Sequence, residues 1–168
     1  MPETVYRSLI EAALARECRR AFAQRTSVSV VLLDFDGVEE INARHGRAAG
    51  DEALRRYAQL LRRLTRRTDI LGRLDSGELL LVLPAWAHGA WRCAERLRAA
   101  VAQAVLSPEW EPRTLSAGIA SSEWPSTGDG PALVEQAAAV LRAAKQAGGN
   151  RIRIAPLQEP ADRIRRAG

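Results

Sequence analysis

Asp34 and Asp36 stand at the exit of the most hydrophobic run of the chain, Ser27 to Leu33, and Gly37 follows at once. Carboxylates on a rigid strand end are hard oxygen donors of the kind a divalent cation takes. Two readings of the pair stay open: a metal ligand, or an Asx-type turn that caps the strand. The two side chains are expected to diverge, so that only one of them faces a given site. Other reactive residue types are sparse. His45 and His88 are too few and too separated for a metal centre. Cys18 and Cys93 sit far apart in arginine-rich helical stretches, which reads as two reduced thiols, neither bridged nor nucleophilic, in a cytoplasmic protein. Four tryptophans, Trp86, Trp91, Trp110 and Trp124, raise the question of a base-stacking platform. For Trp86 and Trp91, which flank His88, a place in the core or against a partner is the expectation.

These groups need elements to hold them. Glu3 to Gln24 has apolar residues at helical spacing (Val5, Leu9, Ala12, Ala13, Leu14, Phe22) and reads as one helix. Ser27 to Leu33 is rich in β-branched residues and continuously apolar, the pattern of a central strand buried on both faces. Ala48 to Leu64 carries Leu54, Tyr57, Leu60, Leu61 and Leu64 on one helical stripe. Ile70 to Leu74 and Glu78 to Leu83 are strands joined by Asp75-Ser76-Gly77, a hairpin signal. Trp86 to Val105 reads as a helix, Arg113 to Ala120 as a strand, Pro131 to Gln146 as a helix and Arg151 to Ile154 as a last strand. Helices mixed with a hairpin predict an α+β fold, a mostly antiparallel five-stranded sheet flanked by helices. The expected organisation is an N-terminal helix over 1–26, one domain over 27–156 and a polar tail over 157–168.

The 168 residues, 46% of them hydrophobic, suffice for a single domain with a real core, and exclude a disulfide-stapled miniprotein or a disordered tail. No apolar run approaches the roughly 20 residues of a membrane span, and charges close to Met1 argue against a signal peptide. The net charge is +5, carried by twenty-four arginines and one lysine, Lys145. Arginine's planar fork suits phosphates and guanine. Acids and bases are interleaved with no long basic tract, so nucleic acid is not read as a partner.

A longer set of ordered motifs narrows the reading. Asp34-Phe35-Asp36-Gly37-Val38-Glu39-Glu40-Ile41-Asn42, then Gly46 and Ala49-Gly50-Asp51-Glu52-Ala53-Leu54, come first. Arg73-Leu74-Asp75-Ser76-Gly77-Glu78-Leu79 leads into a strand ending in Pro84, and Ala94-Glu95-Arg96-Leu97-Arg98 lies in the next helix. Leu115-Ser116-Ala117-Gly118 and Ala143-Ala144-Lys145 with Gly148 and Asn150 complete the series. From about Val28 to Ile154 the chain resembles the GGDEF family, the diguanylate cyclases, which condense two GTP molecules into cyclic di-GMP across a homodimer.

The resemblance implies roles position by position. Asp34 and the carbonyl of Phe35 would hold Mg²⁺, Asn42 and Asp51 would read the guanine edge, and Lys145 would meet the phosphates. Guanine's N1–H and N2–H₂ form a donor pair that one carboxylate accepts in bidentate fashion. Arg66-Arg67-Thr68-Asp69 has the Arg-x-x-Asp form at the family's spacing for the inhibitory site that binds product, and Arg96 matches a secondary arginine of that site.

The departures point away from turnover. The signature reads Asp75-Ser76-Gly77-Glu78-Leu79, and Gly77 stands where the family has its metal-binding catalytic acid. Losing one preorganised electrostatic contact costs about 10²–10³ in rate, and a lost metal ligand costs more. Glu39 replaces a basic residue near the phosphates and Gly149 replaces an arginine. The expected Asp-x-Leu-Thr opening is absent. The reading is a catalytically inactive GGDEF domain, with no catalytic residue, that receives cyclic di-GMP through Arg66, Asp69 and Arg96. On it no cofactor is required, Mg²⁺ enters only with GTP, and the partner is a second copy or a regulated protein. Two alternatives stand beside it: an interaction module without nucleotide, and a weak cyclase in which Glu78 or Asp75 replaces the missing acid.

Overall fold

A computed structural model describes residues 3–74, 77–110, 113–123 and 129–157. The elements are α1 (Glu3–Gln24), β1 (Ser27–Asp36), α2 (Val38–His45), α3 (Arg47–Leu64), β2 (Ile70–Arg73), β3 (Leu79–Leu83), α4 (Ala87–Gln103), β4 (Thr114–Glu123), α5 (Asp129–Gln146) and β5 (Ile152–Ile154). The strands form one five-stranded sheet in the order β2-β3-β1-β4-β5. β1 is its centre, antiparallel to β3 (Leu33 opposite Leu79) and to β4 along its whole length, from Ser27 opposite Glu123 to Asp36 opposite Thr114. β2 pairs antiparallel with β3, and β4 with β5 is the one parallel pair among the described residues. The α+β sheet with flanking helices is the one expected.

Alternation along β1 builds two cores. Val31, Leu33 and Phe35 point to one face with Tyr57 and Leu61 of α3 and Leu97 of α4. Val28, Val30 and Leu32 point to the other, against Ile10, Leu14 and Cys18 of α1 and Leu133 and Leu141 of α5. Helix α5 runs so close to β4 that a Cβ at Gly118 would lie 2.1 Å from the Ala137 carbonyl oxygen. Only glycine allows this approach, and it fixes the height of α5 over the sheet.

Several boundaries differ from the sequence reading for physical reasons. β1 continues through Asp34, Phe35 and Asp36, because hydroxyl groups of β4 satisfy the Asp36 carboxylate and keep the ladder paired. A separate short helix, α2, stands between Gly37 and Gly46, where the sequence showed none; it buries only Ile41, too little for a periodic signal. On α1 the buried stripe is Ile10, Leu14, Cys18 and Ala21, while Leu9 and Phe22 are exposed. Asp75, Ser76, Trp124 and the tail beyond Leu157 lie outside the described residues. No described helix is long and apolar enough to cross a membrane.

Candidate functional site

A cleft of about 480 Å³ opens at the carboxyl end of β1, walled by Asp34 to Glu40, Leu54, Gly77, Lys145, Gly148 and Gly149. Both aspartates line it. This corrects the expectation that they diverge: residues two apart on an extended strand share a face, and β1 stays extended through both. Their environments differ. Asp36 accepts hydrogen bonds from Thr114 Oγ1 at 2.7 Å, from Ser116 Oγ at 2.8 and 3.0 Å and from the Asn150 backbone N–H at 2.9 Å. It ties β1, β4 and the turn after α5 together. Gly149, at φ +69, packs over it, and a Cβ there would come within 3.0–3.1 Å of the carboxylate. Asp34 receives the Lys145 ammonium in a direct ion pair. Burial pushes the Asp34 carboxyl above its ordinary value, opposed by Lys145 and reinforced by the charges of Glu78 and Asp36.

That donor set does not fit the two-carboxylate clamp on a divalent cation that the family resemblance implies. Asp34 is engaged by Lys145, the oxygens of Asp36 are taken, and Gly77 has no side-chain donor. Among the described residues no group of three His, Cys, Asp or Glu side chains converges. The Phe35 side chain is buried and stacks on Tyr57 with ring centroids 4.5 Å apart, so this residue anchors the strand end in the core. Glu39 and Glu40 add exposed negative charge to the cleft rim.

Asn42 and Asp51 lie beyond this cleft, at the junction of α2 and α3. Asn42 Oδ1 is buried without a hydrogen-bond partner and sits against Gly50, while Asp51 is exposed on α3.

A second pocket, about 220 Å³, lies at the other side of the hairpin between the end of α3 and the start of α4. It brings Arg66, Asp69 and Arg96 together, with Leu83, Pro84 and Ala85 as its floor. The turn holding Asp69 is closed from both sides. The Arg66 N–H donates to Asp69 Oδ2 at 2.7 Å, and the Asp69 N–H donates to the Arg66 carbonyl at 3.1 Å. Asp69 Oδ1 keeps only a 3.5 Å contact from Thr68 Oγ1, at the outer limit of a hydrogen bond, and is left able to accept from a ligand. Arg96 is pinned through one nitrogen, which donates to the Leu64 carbonyl at 3.0 Å, while the Arg66 guanidinium has no partner among the described residues. The arrangement suits a ligand with anionic oxygens and a hydrogen-bond donor edge.

Arg92 also lines this pocket, one helical turn before Arg96. The sequence reading missed it, although the 92/96 spacing puts both on one face of α4. Cys93 lies between them, and burial raises its thiol pKa, the nearby Arg96 opposing, so it stays protonated at neutral pH. Trp86 and Trp91 are 58% and 39% exposed, so neither is a core residue. Trp91 stacks on His88 at 6.3 Å. Trp110 packs at the edge of the core beneath the Arg56 guanidinium.

The family profile described as diguanylate cyclase, GGDEF domain, matches residues 5–151 and takes in all but the first two residues of α1. The diguanylate cyclase DgcP of Pseudomonas aeruginosa is 34% identical over 152 residues, 89% of this chain and 22% of DgcP. The chain thus spans under a quarter of that relative. The GGDEF domain of TpbB from the same species is 29% identical with a TM-score of 0.80, covering 90% of this chain and 96% of the domain. The active GGEEF domain of a Vibrio cholerae diguanylate cyclase is 26% identical with a TM-score of 0.81, covering 91% and 97%.

Proposed function

Because this chain belongs to the diguanylate cyclase GGDEF family, we propose that it is a catalytically inactive member that serves as a receptor for cyclic di-GMP. The observation that carries the reading is the asymmetry between the two pockets. Around the pocket between α3 and α4, Arg66, Asp69 and Arg96 converge with open hydrogen-bonding capacity. In the cleft, the acid position of the signature is Gly77, and the one aspartate not saturated by β4 is occupied by Lys145.

In this reading a guanidinium fork meets guanine or phosphate, and the Asp69 carboxylate accepts from the guanine Watson–Crick edge. Asn42, Asp51 and Lys145 are remnants of a nucleotide site, and Asp34 with the Phe35 carbonyl is the remnant of a metal site. No cofactor is needed, and Mg²⁺ has a part only where GTP is held. Ligand binding changes how the domain associates with a second copy or a regulated partner in the cytoplasm. The working division is helix 1–26, ligand-binding domain 27–156 and tail 157–168.

Titration calorimetry of nucleotide-free protein tests this, with cyclic di-GMP against GTP plus Mg²⁺, beside an assay for product. Saturable cyclic di-GMP binding without turnover is expected. No heat with either ligand would leave a protein-interaction module, and cyclic di-GMP made from GTP would make the chain a weak cyclase.

A further inference from the structure

The arginine pocket holds about 220 Å³, less than the roughly 300–1,000 Å³ of sites that enclose a drug-sized ligand. A cyclic dinucleotide bound there must rest part of itself on the adjoining surface. The floor of the pocket, Leu83-Pro84-Ala85, runs directly into Trp86. Trp86 is the N-cap of α4, in extended backbone at φ −72 and ψ 163, and stands three residues before the pocket residue Gly89. Trp91 lies inside α4 and stacks on His88. Trp86 is 58% exposed, a large aromatic surface left in water beside a charged pocket.

Its backbone is held on both sides. The Ala85 N–H donates to the Leu83 carbonyl at 2.9 Å, and the Trp86 carbonyl accepts from the Ala90 N–H at 3.0 Å. The indole is therefore carried by a fixed strand-to-helix junction, a rigid support for a stacking contact. Guanine stacks on an aromatic face irrespective of hydrogen-bond readout.

We propose that Trp86 is the stacking platform of this pocket, receiving the face of one guanine base of a cyclic dinucleotide whose phosphates and base edges are met by Arg66, Asp69 and Arg96. This rests on the receptor reading above and adds a recognition residue to it. Calorimetric titration of the whole chain with cyclic di-GMP tests it across wild type, Trp86→Ala, Trp86→Phe, Trp91→Ala and Arg66→Ala. Trp86→Ala is expected to weaken binding about 5- to 150-fold, the range for one base stacked on an aromatic ring. Trp86→Phe, which keeps a ring, should recover most of it, and Trp91→Ala should bind as wild type. Tryptophan fluorescence quenching on ligand addition should fall sharply in Trp86→Phe while the ligand still binds. Wild-type affinity and quenching in the Trp86 variants, with binding lost in Arg66→Ala, would overturn the platform and leave the receptor standing. No binding by wild type would overturn both. Trp86 is exposed, so equal melting temperatures should show that its variants fold.

Discussion

Asn42 lies flat against Gly50 across the α2–α3 junction, and a Cβ at position 50 would stand 1.9 Å from Asn42 Oδ1. Position 50 is buried inside a helix, where glycine ordinarily costs about 1 kcal/mol relative to alanine. The space taken by Asn42 accounts for its presence.

The substitution Gly50→Ala should therefore destabilise the domain despite its better helix propensity. The expected cost is about 1–3 kcal/mol, the range for overpacking a closed site. Thermal melts of Gly50→Ala, Asn42→Ala and the double variant check this. The double variant should recover much of the loss, whereas additive losses would show that the two side chains do not compete for one space.

Arg66→Ala and Asp69→Ala should each weaken cyclic di-GMP binding about 10- to 150-fold, the range for a hydrogen bond to a charged group. Arg96 spends one nitrogen on the Leu64 carbonyl, so Arg96→Ala should lose affinity and also a little stability. Calorimetry and melting curves separate the two effects. Unchanged affinity in both the Arg66 and Asp69 variants would remove this pocket as the binding site.

Restoring an acid by Gly77→Asp should not restore turnover. A Cβ at position 77 meets nothing within 4 Å, so the side chain has room, but φ is +102 there. The backbone strain should cost about 1–3 kcal/mol. Glu39 still repels a triphosphate in the same cleft, and Gly149 offers it no cation. Cyclic di-GMP formed from GTP and Mg²⁺ by this single variant would show that Gly77 alone silences the site.

Asp34→Asn should stabilise the protein at neutral pH. Burial raises the Asp34 carboxyl above its ordinary 3.8, against the pull of Lys145, so folding favours the neutral form. That contribution is complete below 3.8 and is lost as the pH rises through the folded value, which leaves the ionised group at a net cost at pH 7. A neutral amide removes the cost, and the melting temperature at pH 7 should rise. At pH 3 the gain should vanish. A lower melting temperature at pH 7 would mean that the Lys145 pair outweighs burial.

The elements built on strong periodicity were legible before the structure. The stripe through Tyr57 and Leu61 placed α3, and the continuous run Ser27 to Leu33 placed the central strand. Helix α2 was not, since two glycines bracket eight residues with one buried side chain. The convergence of Arg66, Asp69 and Arg96 on one pocket followed from ordered motifs. The pairing of Lys145 with Asp34 did not, because 111 residues separate them and only the docking of α5 onto β4 brings them together. Asn42 against Gly50 was equally invisible, for a close approach of two helices leaves no composition signal.

The central place of β1 also sets an order of events on the ribosome. Asp34 leaves the exit tunnel 111 residues before Lys145, which is about 6–22 s at synthesis rates of 5–20 residues per second. β1 likewise waits for β4, which borders it along its full length. During that interval the nascent chain holds an apolar strand with an open edge and an acidic end without its counter-ion. Such a strand is a segment in need of chaperone cover until α5 is made.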